Sequence, residues 1–305
     1  MTRGGAPTRR TGGELYRITV EGPNRPTPTM ERNTTVDPVD AVAILVVGGA
    51  AGAVNTAIGA GTLLTFPLLV ALGVPALTAN VSNTVGLIPA AVTGAWGYRR
   101  ELSGHWRAVI TMATLSVLGG TTGALLLLAA PGSFTTVVPW LLLLAAGLAA
   151  AQPRIGEALR RREALAALAA GTTLTESAPA ALADAVTRRP GVALGAAVAA
   201  TGVYGGYFGA AQGVLLLAVL GIAWSADLHR ANGAKVVLAG AAQLVSATVF
   251  VINGVVDWQI AALIAVGSAL GGVVGARAGR AIPAGVLRTL IVVVGVSAAA
   301  VLWLR

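Results

Sequence analysis

The 305-residue chain contains no cysteine, which excludes disulfides, thiolate metal sites and cysteine nucleophiles together. Charge is scarce: 11% of residues are Asp, Glu, Lys or Arg, against about 25% in ordinary soluble domains. Lysine is nearly missing, Lys235 being the only one among 21 basic residues. No acidic residue lies well inside an apolar run, since Asp40, Asp227 and Asp257 stand at segment edges and Glu101 in a connection. The carboxylate that proton- or sodium-coupled transporters commonly use therefore has no candidate. Also lacking are a His-Glu-x-x-His zinc site, a Gly-x-Ser-x-Gly elbow and a glycine-rich loop ending in Lys-Ser/Thr. GGAAGA at 48–53 opens an apolar run without the strand or acidic partner of a dinucleotide site. The reading is not an enzyme, and nothing points to a metal or a cofactor.

What the chain has is apolar length. Hydrophobic residues make up 55% of it, and about 20 apolar residues cross a bilayer as a helix. Such windows recur at 40–72, 76–98, 107–130, 134–151, 190–222, 231–252, 258–276 and 286–304. They are long and rich in Leu, Val, Ala and Gly, whereas barrel strands show about ten residues of alternating polarity. The expected fold is an all-α polytopic membrane protein of about eight hydrophobic segments. All six tryptophans fall near a window end, as an interfacial aromatic belt would place them. The net charge of +9 does not imply nucleic acid, because the arginines lie between apolar segments and are not interleaved with aromatics.

Two stretches repeat each other 152 residues apart. Ala79-Asn80, Trp106 and Gly119-Gly120-Thr-Thr-Gly123-Ala124 answer to Ala231-Asn232, Trp258 and Gly271-Gly272-Val-Val-Gly275-Ala276. The glycine-rich stretches 48–61 and 202–213 correspond with a slightly different offset, Gly59 facing Gly209. The expected organisation is a disordered tail at 1–38, a first transmembrane repeat at 39–151, a polar cytoplasmic linker at 152–189 with a short amphipathic helix, and a second transmembrane repeat at 190–305. Internally repeated apolar segments are typical of secondary transporters, whose sites lie between the repeats near the bilayer midplane.

Windows 40–72 and 190–222 are longer than one crossing requires. If every window crosses once, the thirteen arginines in connections divide nine to four between the two faces. If these two windows instead enter and return as hairpins broken at Gly52–Gly61 and Gly205–Gly213, all thirteen share a face. The positive-inside rule favours the second arrangement. It leaves an odd number of full crossings per half, so the halves would be inverted relative to each other.

The string GAVNTAIGAGTLLTFPLLVALGVPALTANVSNTVGLIPAAVTGAWGYRREL (52–102) and its partner LHRANGAKVVLAGAAQLVSATVFVINGVVDW (228–258) resemble the TauE/SafE family of sulfite and organosulfur-anion exporters. The resemblance runs from about 40 to 304. It implies a multi-pass permease of the bacterial inner (plasma) membrane that moves sulfite, sulfonates, sulfoacetate or a related small anion. The implied partners are that anion and the lipid bilayer; self-association into a homo-oligomer is left open. The alternative from another class is a non-transporting accessory or assembly protein.

The candidate substrate-binding residues are Asn55, Asn80, Ser82, Asn83, Gln212, Asn232 and Lys235. Asn80 and Asn83 lie one turn apart, as do Asn232 and Lys235, so each pair shares a helix face. Two such faces would offer amide donors and one ammonium to an oxyanion. The competing readings are that Asn80 and Asn232 cap helices and that Lys235 snorkels to headgroups. Asn55, Thr56, Tyr204, Tyr207 and Gln212 lie in the glycine-rich breaks, where unwound backbone N–H groups would also suit an anion. The glycines themselves could equally serve close helix packing. Thr65, Gln243 and Ser246 read as interhelical hydrogen-bond glue. His105, Asp227, His229 and Asp257 read as loop positions.

Overall fold

A computed structural model of the protein describes residues 36–169, 191–225, 227–278 and 284–304. The expected tail at 1–38 lies almost wholly outside the described residues. From Pro38 onward the chain forms one unit, and among the described residues every regular element is an α-helix: α1 Pro38–Ala57, α2 Thr62–Ala71, α3 Ala76–Gly86, α4 Ile88–Gly97, α5 Trp106–Ala129, α6 Pro131–Ala169, α7 Val192–Tyr207, α8 Gln212–Ala223, α9 Leu228–Ile252, α10 Trp258–Ala278 and α11 Ala284–Leu304. Among the described residues, five stretches are long and apolar enough to cross a membrane: Pro38–Ala57, Trp106–Ala129, Pro131–Arg162, Leu228–Ile252 and Trp258–Gly275.

Local chemistry explains the boundaries. Asp227 caps α9, its carboxylate accepting from the backbone N–H of His229 at 2.9 Å and Arg230 at 3.1 Å. Asp257 caps α10 in the same way through Gln259 and Ile260. The window 76–98 is carried by two helices, because Pro89 has no N–H to continue the ladder and the chain turns at Leu87. Nearby carbonyls find side chains instead: Gly86 accepts from the Ser268 hydroxyl at 2.6 Å and Thr84 from the Gln243 amide at 2.9 Å. Helix α6 passes straight through the expected boundary at 151 and runs to Ala169. The near half of the linker is thus a continuation of α6, and 170–190 lie outside the described residues.

Each long glycine-rich window is broken once. Helix α1 ends where the N–H groups of Ile58 and Gly59 both bond the Val54 carbonyl, with Gly59 at φ +85°. Helix α7 ends identically, Phe208 and Gly209 both bonding Tyr204, with Gly209 at φ +75°. A left-handed glycine just past the last turn is a helix stop. The chain then folds back: a Cβ on Gly61 would lie 2.4 Å from the Ala51 oxygen, and one on Gly205 would collide with the Gln212 side chain.

Small residues govern the long-range packing. Helix α7 lies along α5 in the same direction, Gly202 against Ser116 and Gly119, and Gly206 against Gly120. Helix α1 lies along α10, Gly48 against Ile264, Gly52 against Ser268 and Gly275 against Ala53. A Cβ at Gly271 would sit 1.8 Å from the Gly49 oxygen and one at Gly123 2.0 Å from that of Val203. Backbones approach this closely only through such positions.

These contacts fix where segments begin and end. Helix α7 starts beside the start of α5, and α8 returns to that end, where Trp224 meets His105 edge-on at 6.3 Å between ring centroids. Helix α1 starts at the opposite end, beside the start of α10. Helix α3 starts there too, since Ser82 bonds Asp257 at 2.8 Å and Gly86 touches Ile264. The segments 38–72 and 192–224 therefore each leave the bundle at the end where they entered, and their tips meet in the middle.

The tryptophan expectation needs one correction. Trp96, Trp106, Trp140, Trp258 and Trp303 are exposed, but Trp224 is 2% exposed. It packs under Leu102, Leu159 and Leu220 in place of a lipid headgroup.

Candidate functional site

The two chain breaks touch through backbone. The N–H of Gly213 donates to the carbonyl of Gly59 at 3.2 Å, and a Cβ on either glycine would fall within 2.6 Å of the other's Cα. Two adjoining cavities flank this contact and share Asn55, Gly59, Gly213 and Ala239. The first reaches Thr56, Ala90 and Lys235. The second reaches Thr62, Thr84, Gln212 and Gln243.

Four helix ends converge here, two C-termini (α1 and α7) and two N-termini (α2 and α8). A helix C-terminus presents partial negative charge and an N-terminus partial positive charge. Both C-termini are answered by side chains from the opposite half. The Lys235 ammonium donates to the carbonyl of Ala57, the last residue of α1, at 3.4 Å. The Asn80 amide donates to the carbonyl of Tyr207, the last residue of α7, at 3.1 Å. Lys235 and the N-termini of α2 and α8 are the positive contributions beside the cavities.

Lys235 is 1% exposed, so it does not snorkel. It stands seven residues into α9, roughly 10 Å along the helix. Among the described residues, no acidic residue lines either cavity. Gln212 opens α8, is 5% exposed, and its Nε2 has no hydrogen-bond partner. Asn55 lines both cavities from the last turn of α1. Three buried or half-buried polar side chains thus line the two adjoining cavities, Lys235 the first, Gln212 the second and Asn55 both.

The remaining expected residues divide. Asn80 is buried, with its Oδ1 unpartnered, but it lines neither cavity. It stands inside α3, whose N-cap is Pro75, so it does not cap its own helix. Asn83 is fully engaged: its amide donates to the Thr62 hydroxyl at 3.1 Å and its Oδ1 accepts from Thr65. It fixes α3 to the start of α2 and so positions Thr62 at the cavity. Ser82 is buried and accepts from the Asp257 N–H, pinning α10 at a distance from both cavities. Asn232 is half-buried and lines neither cavity; α9 is capped by Asp227 instead.

Of the residues read as glue, Gln243 also lines the second cavity, and Ser246 bonds the Gly120 carbonyl at 3.1 Å. Tyr204 locks the α7–α8 break, its hydroxyl donating to Ala210 at 2.5 Å. Thr62 and Thr84 line the site without having been expected. Thr62 was accessible to the sequence argument, because it stands 150 residues before Gln212, the offset that pairs Gly59 with Gly209.

A family model described as Sulfite exporter TauE/SafE matches residues 44–302. No curated protein and no solved structure matches the chain.

Proposed function

This chain belongs to the TauE/SafE sulfite exporter family, and from that premise we propose that it is a secondary transporter carrying a small anion, sulfite or an organosulfonate, across the bacterial inner membrane. Family and apolar helices together make it a multi-pass membrane transporter. The observation that carries the finer reading is Lys235: an ammonium 1% exposed, facing a cavity that no carboxylate lines. A lysine at the centre of a bilayer costs about 2.5–3.5 kcal/mol on insertion scales, and one kept there normally faces a partner or a cavity. Its protein partner here is a single carbonyl at 3.4 Å, which leaves donors for an anion.

Substrate would bind beside the Gly59–Gly213 contact, with Lys235 supplying charge and Asn55 and Gln212 supplying amide donors. Asn83 orients Thr62, Asn80 holds the end of α7, and Ser82 and Asn232 support the helices that carry the others. The halves act as inverted repeats, their hairpins entering from opposite faces. Reciprocal packing of α1 on α10 and α7 on α5 supports this, as does the shared end of the 98–105 and 224–228 connections. The arginine-rich end is cytoplasmic by the positive-inside rule. An inside-negative potential then drives the anion outward without a dedicated proton relay. Uptake of labelled sulfite into proteoliposomes, with an imposed potential positive inside, tests the reading: saturable, potential-dependent flux is expected, and its absence from folded protein for every small sulfur anion tried would overturn it.

A further inference from the structure

The two cavities differ in charge as well as in lining. Among the described residues, Lys235 is the only charged side chain on either wall. The first cavity therefore has the lysine, and the second has amides, hydroxyls and glycine backbone. In the second cavity the Gln243 amide is spent on the Thr84 carbonyl at 2.9 Å, whereas the Gln212 Nε2, on a side chain 5% exposed, is unspent. Lys235 and Gln212 thus line two adjoining cavities that share Asn55, Gly59, Gly213 and Ala239.

Resting on the transport reading above, we propose that this site selects anions with a single negative charge and a neutral remainder. The charged head lies against Lys235 and the remainder lies toward Gln212. A second negative charge would be buried without a cation, and an ionised group placed so is strongly disfavoured unless paired. A positively charged substituent would meet no carboxylate and would be repelled by Lys235. Among small sulfur anions the site therefore admits bisulfite, methanesulfonate and hydroxyethanesulfonate. It rejects sulfate and sulfoacetate for their second negative charge, and taurine for its ammonium.

The test compares methanesulfonate with methanedisulfonate and taurine as inhibitors of labelled sulfite flux in proteoliposomes of the full chain. Calorimetric titration of the same ligands into the detergent-purified protein runs in parallel. Methanesulfonate is expected to act at concentrations roughly tenfold or more below those of the other two. Equal potency, or a stronger dianion, would overturn the selectivity while leaving transport intact. Calorimetric preference for methanesulfonate with no flux would sustain the selectivity and overturn transport. No binding of any of the three would overturn the site itself. The variant Gln212→Lys, which adds a second cation, should narrow the preference or invert it; an unchanged ratio in folded variant protein would contradict the assignment of Gln212.

Discussion

Gly213 donates its backbone N–H to the carbonyl of Gly59 at 3.2 Å, so two chain breaks lying about 150 residues apart in sequence meet without any side chain between them. The contact brings together the ends of four half-length helices, and the polar residues of both cavities are arranged around it.

Replacing either glycine by alanine therefore drives a methyl into backbone. Gly59→Ala and Gly213→Ala are each expected to cost about 1–3 kcal/mol through overpacking, with Gly59 penalised further by its φ of +85°. Gly104→Ala is the control: its φ is +81° but nothing lies within 4 Å of the added carbon. Thermal unfolding in detergent should show the first two variants falling clearly below the control.

The Ser116 hydroxyl bonds the Leu238 carbonyl at 2.8 Å, and Ser268 bonds that of Gly86 at 2.6 Å. The two donors are 152 residues apart in sequence, and so are the two acceptors. Ser116→Ala and Ser268→Ala should each destabilise by about 0.6–1.7 kcal/mol, the measured scale of interhelical hydrogen bonds in membranes. Chemical unfolding of the two variants should give similar losses; a silent Ser268 beside a costly Ser116 would break the equivalence.

Gln212→Glu places a carboxylate in a site read as anion-binding. Flux of labelled sulfite is expected to fall by roughly tenfold or more, since like charges disfavour each other strongly in a low-dielectric interior. Gln212→Met, similar in volume, should lose less. A glutamate variant that transports normally would remove Gln212 from the path.

Because the chain has no cysteine, single introduced cysteines report topology without background. Ser103→Cys and Asn253→Cys stand at exposed connections that the helix packing puts at opposite ends. A membrane-impermeant maleimide applied from one side should label only one of them. Labelling of both from the same side would instead match an arrangement in which every apolar window crosses once.

Much of this was legible in the sequence, for identifiable reasons. The breaks were marked by glycine runs in unusually long apolar windows, and Lys235 stood out as a lone cation in an apolar run. The division of the glycines was less legible. Gly48, Gly52 and Gly271 serve close helix approach and Gly59 and Gly209 serve chain reversal, a distinction that depends on φ and on the neighbouring helix. Ser82, Asn83 and Gln212 look alike as polar residues in apolar surroundings. Only packing shows that Ser82 meets Asp257, that Asn83 is fully engaged by Thr62 and Thr65, and that the Gln212 Nε2 is left free. Trp224 was misread because a segment end meets protein here instead of lipid, under α5, α6 and α9.

The central claim is that the buried ammonium of Lys235 holds the transported anion. The most direct measurement compares potential-driven uptake of labelled sulfite by wild type, Lys235→Met and Lys235→Arg in proteoliposomes, with folding checked by thermal unfolding. The account predicts that the methionine variant folds and loses saturable flux, while arginine retains part of it. Undiminished flux in folded Lys235→Met protein would contradict the account and leave Lys235 as a cap for the end of α1.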